Sequence, residues 1–390
     1  MKQSLLRTPG MVPVLATFAF CISGLALLLP ASPAWVSAGG ANATGAGLVT
    51  AVLMAATVAT QVLVVQKALD RFGWAATLTA GSLFMGLPSP LQAISSDLWL
   101  VLLSSALRGV GFGILTVCCS TALTLLVPSN QRGRAVGYYG LAAAIPQLLF
   151  TPLSPWIAQT LGFRFVLCAG VIAALGAPFA WRLGSLVDSM NKDDAATVQT
   201  GAMTQVVGGS VLPIIWPALL TLTLATAAGG ALMTFASEIA QDASAASLAL
   251  LVMMAVAVPT RLYGGTLTDR WGTRITMAPV LALNAAGVAA LGFASISGSA
   301  LDLMLAALLT GTGYGFLQSV TMVRALSDAP ASKTTAASVA WNANYDLGTG
   351  LGGIALGALA SGFGFANAWW IWAAAMMAAA LLLGIRDFKR

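Results

Sequence analysis

The chain has 390 residues, 58% of them hydrophobic and 8% charged, with a formal net charge of +6, no histidine and four cysteines. A mean hydropathy of +0.88 is far above that of an ordinary soluble domain and excludes a water-soluble globule. Without histidine, and with Cys21, Cys118, Cys119 and Cys168 at no ligand spacing, neither a zinc nor a haem site is supported, and no metal or other cofactor is expected. The positive charge is scattered over short loops rather than clustered with aromatics, so no nucleic-acid partner is implied.

In chain order, the apolar runs divide into twelve spans, at residues 11 to 32, 44 to 66, 74 to 94, 98 to 126, 134 to 158, 165 to 187, 213 to 239, 245 to 267, 275 to 296, 301 to 326, 335 to 360 and 367 to 385. Residues 8 to 66 contain no Lys, Arg, Asp or Glu, which is too long a stretch for a soluble core element. About 20 apolar residues cross a hydrocarbon core of roughly 30 Å. Backbone in lipid must satisfy its own hydrogen bonds, so the spans are helices. Lys2 and Arg7 precede the first run, and Val36-Ser37-Ala38 resembles a signal cleavage site. The run nevertheless exceeds the roughly 7 to 15 residues of a signal core, and it reads as a span.

Sixteen of the eighteen basic residues fall at ends or loops of one side, leaving Arg164 opposite and Arg108 inside a span. Short loops kept in the cytoplasm are enriched in Lys and Arg, so this side is cytoplasmic and holds both termini, in a bacterial cytoplasmic membrane. Ten of the eleven tryptophans sit near span ends, where amphipathic rings prefer the headgroup level; Trp341 lies inside a span.

An internal repeat follows. Gly109-Val110-Gly111-Phe112-Gly113 in the fourth span returns 202 residues later as Gly311-Thr312-Gly313-Tyr314-Gly315 in the tenth. At the same offset Pro128 falls on Pro330 and Gly162-Phe163 on Gly364-Phe365, while Asp70-Arg71-Phe72-Gly73 matches Asp269-Arg270-Trp271-Gly272 at an offset of 199. Six spans followed by six more give an N-terminal bundle at 1–187 and a C-terminal bundle at 213–390, joined by a polar cytoplasmic linker at 188–212. Parallel repeats of this kind are a transporter architecture, although duplication can also build a scaffold that moves nothing.

With twelve spans, two halves and a loop reading Gly265-Thr266-Leu267-Thr268-Asp269-Arg270-Trp271-Gly272-Thr273-Arg274, the chain resembles the major facilitator superfamily along nearly its whole length. The first-half copy of this signature keeps Asp70, Arg71 and Gly73 but has Gln66, Ala68 and Trp74-Ala75 at other positions. The resemblance implies an all-α fold of two pseudo-symmetric six-helix bundles, alternating access, and a solute cavity between spans 1, 4, 7 and 10. It also implies that Asp269 approaches the start of span 5 near Gly133 as part of a cytoplasmic gate, with Arg270, Gly272 and Arg274 in the same loop. The alternative is that this loop is only a tight, solvated turn.

Ionisable residues inside spans are few and costly. Asp346 lies about 12 residues into span 11, so roughly 18 Å deep, and Arg108 lies at mid-depth in span 4. Asn342 shares a helical face with Asp346, and Asn344 adds a polar group nearby. The run Asp346, Gly348, Gly350, Gly352 resembles efflux-type branches, which implies proton-coupled export, the alternative being a proton-coupled importer or a uniporter of a metabolite. The span-5 stretch Gln147 to Pro155 retains only Pro152 of the element that drug exporters carry there. The partners so implied are the bilayer, protons and a small organic or amphipathic solute. Thr116, Ser120, Thr234, Tyr314 and Gln318 are candidate lining groups, and Glu238 and Asp242 stand near the outer end of span 7 as a proton entry or a solvated helix end. Against these readings, Asp346 and Arg108 could form static bonds between helices. Tyr345-Asp346 also recurs in membrane aspartyl proteases, but the second motif they need is missing, and no P-loop is present, so neither catalysis nor ATP drive is supported.

Overall fold

The computed structural model describes residues 8–127, 131–193 and 211–388. The side chains of Arg132, Gly133, Lys192, Asp193 and Asp269 lie outside this description, as do Lys2, Arg7, Pro128, Asp194, Lys389 and Arg390. Among the described residues the elements are all helical: α1 (Met11–Ala38), α2 (Ala43–Leu63), α3 (Val65–Gly86), α4 (Ser89–Gln92), α5 (Leu98–Leu126), α6 (Arg132–Thr160), α7 (Phe163–Ala169), α8 (Ala177–Asp193), α9 (Leu212–Ile239), α10 (Ala243–Trp271), α11 (Thr273–Ser297), α12 (Ala300–Asp328), α13 (Thr334–Phe363) and α14 (Phe365–Phe388). With α4 as a short appendage, and α7 and α8 joined through a 3-10 stretch at Gly170–Gly176, these make twelve spans.

Ten spans are long and apolar enough to cross a membrane by length and composition. The other two are α3, which carries Lys67, Asp70 and Arg71, and α13, which carries Asn342, Asn344 and Asp346. Their polarity has different sources. In α3 the charges occupy the exposed face of a helical extension, Val65 to Phe72, whose buried Val65 and Leu69 are four residues apart. In α13 Asp346 and Thr349 are buried within the protein.

Both signature loops are helical almost to their glycines. Helix α10 runs through Asp269 and Arg270 to Trp271, and α11 starts immediately after Gly272. Gly73 (φ 77°, ψ 176°) and Gly272 (φ 80°, ψ 148°) make the same turn, in a region that only glycine occupies without strain. The expected tight turn is thus one residue wide. Gly162 and Gly364, also matched by the repeat, have φ of 92° and 80°.

The residues form two compact units. Unit one comprises the described parts of Met1–Ala31 and Ala55–Thr200, and unit two those of Ser32–Met54 and Gly201–Arg390. Small residues set the helix spacing inside each, as expected where van der Waals packing rather than hydrophobic exclusion joins helices. In unit one Gly111 abuts the α3 backbone at Gly81 and Met85, and Gly113 abuts Thr57 and Thr60 of α2. In unit two Gly313 abuts Asn284 of α11, and Gly315 abuts Ala257 and Thr260 of α10. The repeated glycines therefore do one job twice.

Polar groups fasten the ends. Asp188 accepts hydrogen bonds from the backbone N–H of Trp74 (2.9 Å) and Ala75 (3.0 Å), which caps the helical run after Gly73. Helix α8 continues to Asp193, so Asp188 makes this cap from within a helix. Asp97 caps α5 and Asp242 caps α10 through the N–H of Trp99 and of Ala245.

Candidate functional site

Two polar clusters lie at depth, one in each unit. In unit two, α13 brings Trp341, Asn344, Tyr345, Asp346 and Thr349 together because residues three and four apart share a helical face. The Tyr345 and Tyr314 hydroxyls are 2.6 Å apart, joining α13 to α12. The Trp341 ring stacks on Tyr345 at 5.9 Å, and its Nε1–H donates to Thr321 Oγ1 at 3.0 Å. Asn344 Nδ2 donates to the Leu219 carbonyl at 2.9 Å, and its Oδ1 accepts from Thr223 at 3.1 Å, which ties the cluster to α9. Gly348 and Gly352 let α13 lie directly against α9 at Thr223, Thr226 and Ala227. Asp346 is 8% exposed and, with Arg261, lies within electrostatic reach of both tyrosines. A buried carboxyl beside hydroxyls that can donate or accept is suited to holding a proton and passing it on.

In unit one, Arg108 of α5 is 1% exposed and donates from Nη2 to the Gly24 carbonyl of α1 at 3.2 Å. Its Nε is buried without a hydrogen-bond partner. Cys21 lies within electrostatic reach of Arg108, and Tyr139 of α6 within reach of Cys21, Cys118 and Cys119. The Tyr139 ring stacks on Phe18 at 4.2 Å. No group of three or more His, Cys, Asp or Glu able to hold a metal occurs among the described residues.

The sequence profile of the Major Facilitator Superfamily matches residues 14–353. The chain belongs to the major facilitator superfamily. An uncharacterised transporter of this superfamily type from Mycobacterium tuberculosis is 27% identical over 143 residues, 37% of this chain and 20% of that protein. The matched stretch spans about a fifth to a quarter of the length of the curated relatives. Among solved structures, the nucleoside transporter NupG has a TM-score of 0.75 at 14% identity, covering 98% of this chain and 100% of that one. A D-xylose–proton symporter has a TM-score of 0.71 at 15% identity, with 96% of each chain covered. At these identities the likeness is one of fold. Membership places the chain in a family of integral membrane transporters.

The superfamily fold places the expected residues unevenly. Asp346, Tyr314, Gln318 and Asn344 belong to unit two, with Tyr314 and Gln318 buried beside Asp346's helix, whereas Arg108 belongs to unit one. Arg108 and Asp346 are each held by groups of their own unit. Asn342 is exposed and donates to the Ser338 carbonyl of its own helix. Glu238 is exposed at the end of α9. Of the signature loops, Asp70, Arg71, Arg270 and Arg274 are exposed, with Asp70 accepting from Gln66 Nε2 at 2.7 Å. Gly265 has open space beside its Cα. Thr234 is buried against Thr50 at 3.1 Å, and Thr116 accepts from Gln61 Nε2 at 3.1 Å.

Sequence reasoning missed Tyr345, Trp341 and Arg261 in this cluster. Tyr345 was masked by its neighbour Asp346, and Trp341 was visible as the one tryptophan away from a span end. Arg261 was counted only as a basic end.

Proposed function

We propose that the protein is a secondary transporter that exchanges protons for a small organic or amphipathic solute and exports the solute by alternating access. The observation that carries this reading is the burial of Asp346 at mid-span within electrostatic reach of Tyr314 and Tyr345, whose hydroxyls are paired. An intramembrane carboxyl is costly, and its proton affinity rises when it is desolvated and falls near a cation. A change of surroundings during the transport cycle therefore loads and unloads a proton. Under the same reading the halves at 1–187 and 213–390 work as the two moving bodies, joined through the linker at 188–212. The Asp269 loop then acts as a cytoplasmic gate, and both termini are cytoplasmic, a reading the one-sided basic residues support.

A second reading is proton-coupled uptake, because the solved structures that share the fold are named as a nucleoside transporter and a D-xylose–proton symporter. Inverted vesicles acidified inside separate the two. An exporter accumulates a fluorescent amphipathic solute there as protons leave, and Asp346→Asn abolishes the accumulation. Accumulation indifferent to the pH gradient removes proton coupling. A solute gathered instead by right-side-out vesicles with an acidic exterior establishes uptake.

A further inference from the structure

Unit one contains a buried cation without a counter-ion. Arg108 is fully enclosed at mid-depth, and no carboxylate among the described residues pairs with it. The acids of unit one whose side chains are described are engaged elsewhere: Asp97 and Asp188 accept from backbone N–H groups at helix starts, and Asp70 accepts from Gln66. A guanidinium carries five N–H donors; here Nη2 reaches the Gly24 carbonyl, and Nε has no partner. A lone buried charge is retained at high cost unless something supplies the opposite charge.

The surroundings narrow the class of that group. Phe18, Cys21 and Gly24 follow one another at intervals of three on α1, so they share one face. Arg108 meets this face at Gly24 and Cys21, and the Phe18–Tyr139 ring stack closes it one turn further along. Tyr139 is partly exposed, so the aromatic end of this face is its open end and the guanidinium lies enclosed behind it. The arrangement offers one positive planar fork at Gly24 and Cys21 and, starting three residues further along α1 at Phe18, a flat aromatic wall. A single guanidinium matches one carboxylate in charge and in bidentate geometry, whereas a phosphate dianion would leave an uncompensated charge in a poorly polarisable site.

We propose that unit one holds a site for a small aromatic monocarboxylate, its carboxylate on Arg108 and its ring against Phe18 and Tyr139. The proposal rests on the transport reading and names its solute class.

The test follows the unfolding midpoint of the detergent-purified full chain with benzoate, with benzamide as the neutral isostere and with chloride as a small anion. A ligand of the folded state raises the midpoint by mass action. Benzoate raises it and the other two do not. In Arg108→Gln the apparent benzoate affinity falls at least about tenfold. Arg108→Lys keeps the charge but not the fork and gives an intermediate loss, which also serves if the glutamine variant does not fold. No shift with benzoate, an equal shift with benzamide or chloride, or undiminished benzoate binding in Arg108→Gln overturns the site. Asp346-dependent exchange of a neutral solute without benzoate binding overturns this inference and leaves the transport reading standing. Benzoate binding without any proton-linked movement does the reverse.

Discussion

Among the described residues two arginines are buried in helices, and they differ in what surrounds them. Arg324 in α12 is 1% exposed, with Nε donating to Asp328 at 2.5 Å and both terminal nitrogens donating to Asp387 of α14 at 3.2 Å. Asp387 is 4% exposed and Asp328 22%. Removing one partner of a buried pair strands the other charge, whereas a more exposed partner is replaced in part by water. Asp387→Asn removes the more deeply buried carboxylate but leaves Arg324 paired with Asp328, so it is expected to lower unfolding stability by about 1 to 3 kcal/mol, and Asp328→Asn by about 1 kcal/mol or less. Chemical unfolding in detergent measures both, and equal losses would contradict the burial argument. Arg108 lacks such a partner, so its removal relieves a desolvated charge. The ligand-free Arg108→Gln protein should be as stable as the parent or more so.

The helices show where a sequence reading is sharp and where it blurs. Span 4, read at 98 to 126, coincides with α5 (Leu98–Leu126), since a long apolar run bounded by the Asp97 cap admits few other boundaries. Span 3, read from residue 74, starts there, because α3 is broken at Gly73 and a new helical run opens at Trp74, while the stretch before it, read as a loop, is helical from Val65. Lys67, Asp70 and Arg71 look like a loop by composition, yet Val65 and Leu69 are buried while Gln66 and Asp70 face outward at helical spacing. The 3-10 stretch at Gly170–Gly176 had no clear signal either, because its cause is tertiary: Gly170 presses on Leu28 and Ser89. The glycine turns, by contrast, were legible from the repeat. Their backbone region is closed to other residues, so Gly272→Ala should cost about 1 to 3 kcal/mol. Asp188→Ala removes the cap on Trp74 and Ala75 and should cost about 0.5 to 2 kcal/mol. Asp387, 199 residues after Asp188, is occupied by Arg324 instead, so the two aspartates hold their units by different means. Thermal unfolding of the two variants against the parent checks these values, and a neutral Gly272→Ala would show that the turn can be rebuilt.

At the scale of the whole chain, duplication preserved packing and abandoned chemistry. Gly111 and Gly113 meet the neighbouring helices of unit one as Gly313 and Gly315 meet those of unit two. The same 202-residue offset takes Arg108 to Thr310 and takes Asp346 back to Ala144. Arg108 and Asp346 are thus the ionisable mid-span groups that the repeat does not explain, and this asymmetry, rather than the repeat itself, marks the places where function resides. The repeat was readable because close helix contact admits one residue type, and glycine recurs visibly. The partners of Arg108 and Asp346 were not readable, because hydroxyls, carbonyls and rings from other helices supply them without any fixed spacing. The contrast can be measured. Gly113→Leu and Gly315→Leu force side-chain volume into equivalent contacts, and overpacking of this kind costs about 1 to 3 kcal/mol, so the two should lose similar unfolding stability. Arg108→Thr gives the first unit the residue of its counterpart, leaves every glycine contact in place, and should keep the parental unfolding midpoint while solute movement in vesicles is lost. If Arg108→Thr instead unfolds like the glycine variants, Arg108 is a packing residue, and the division between duplicated scaffold and diverged chemistry fails at the position where it is most exposed to test.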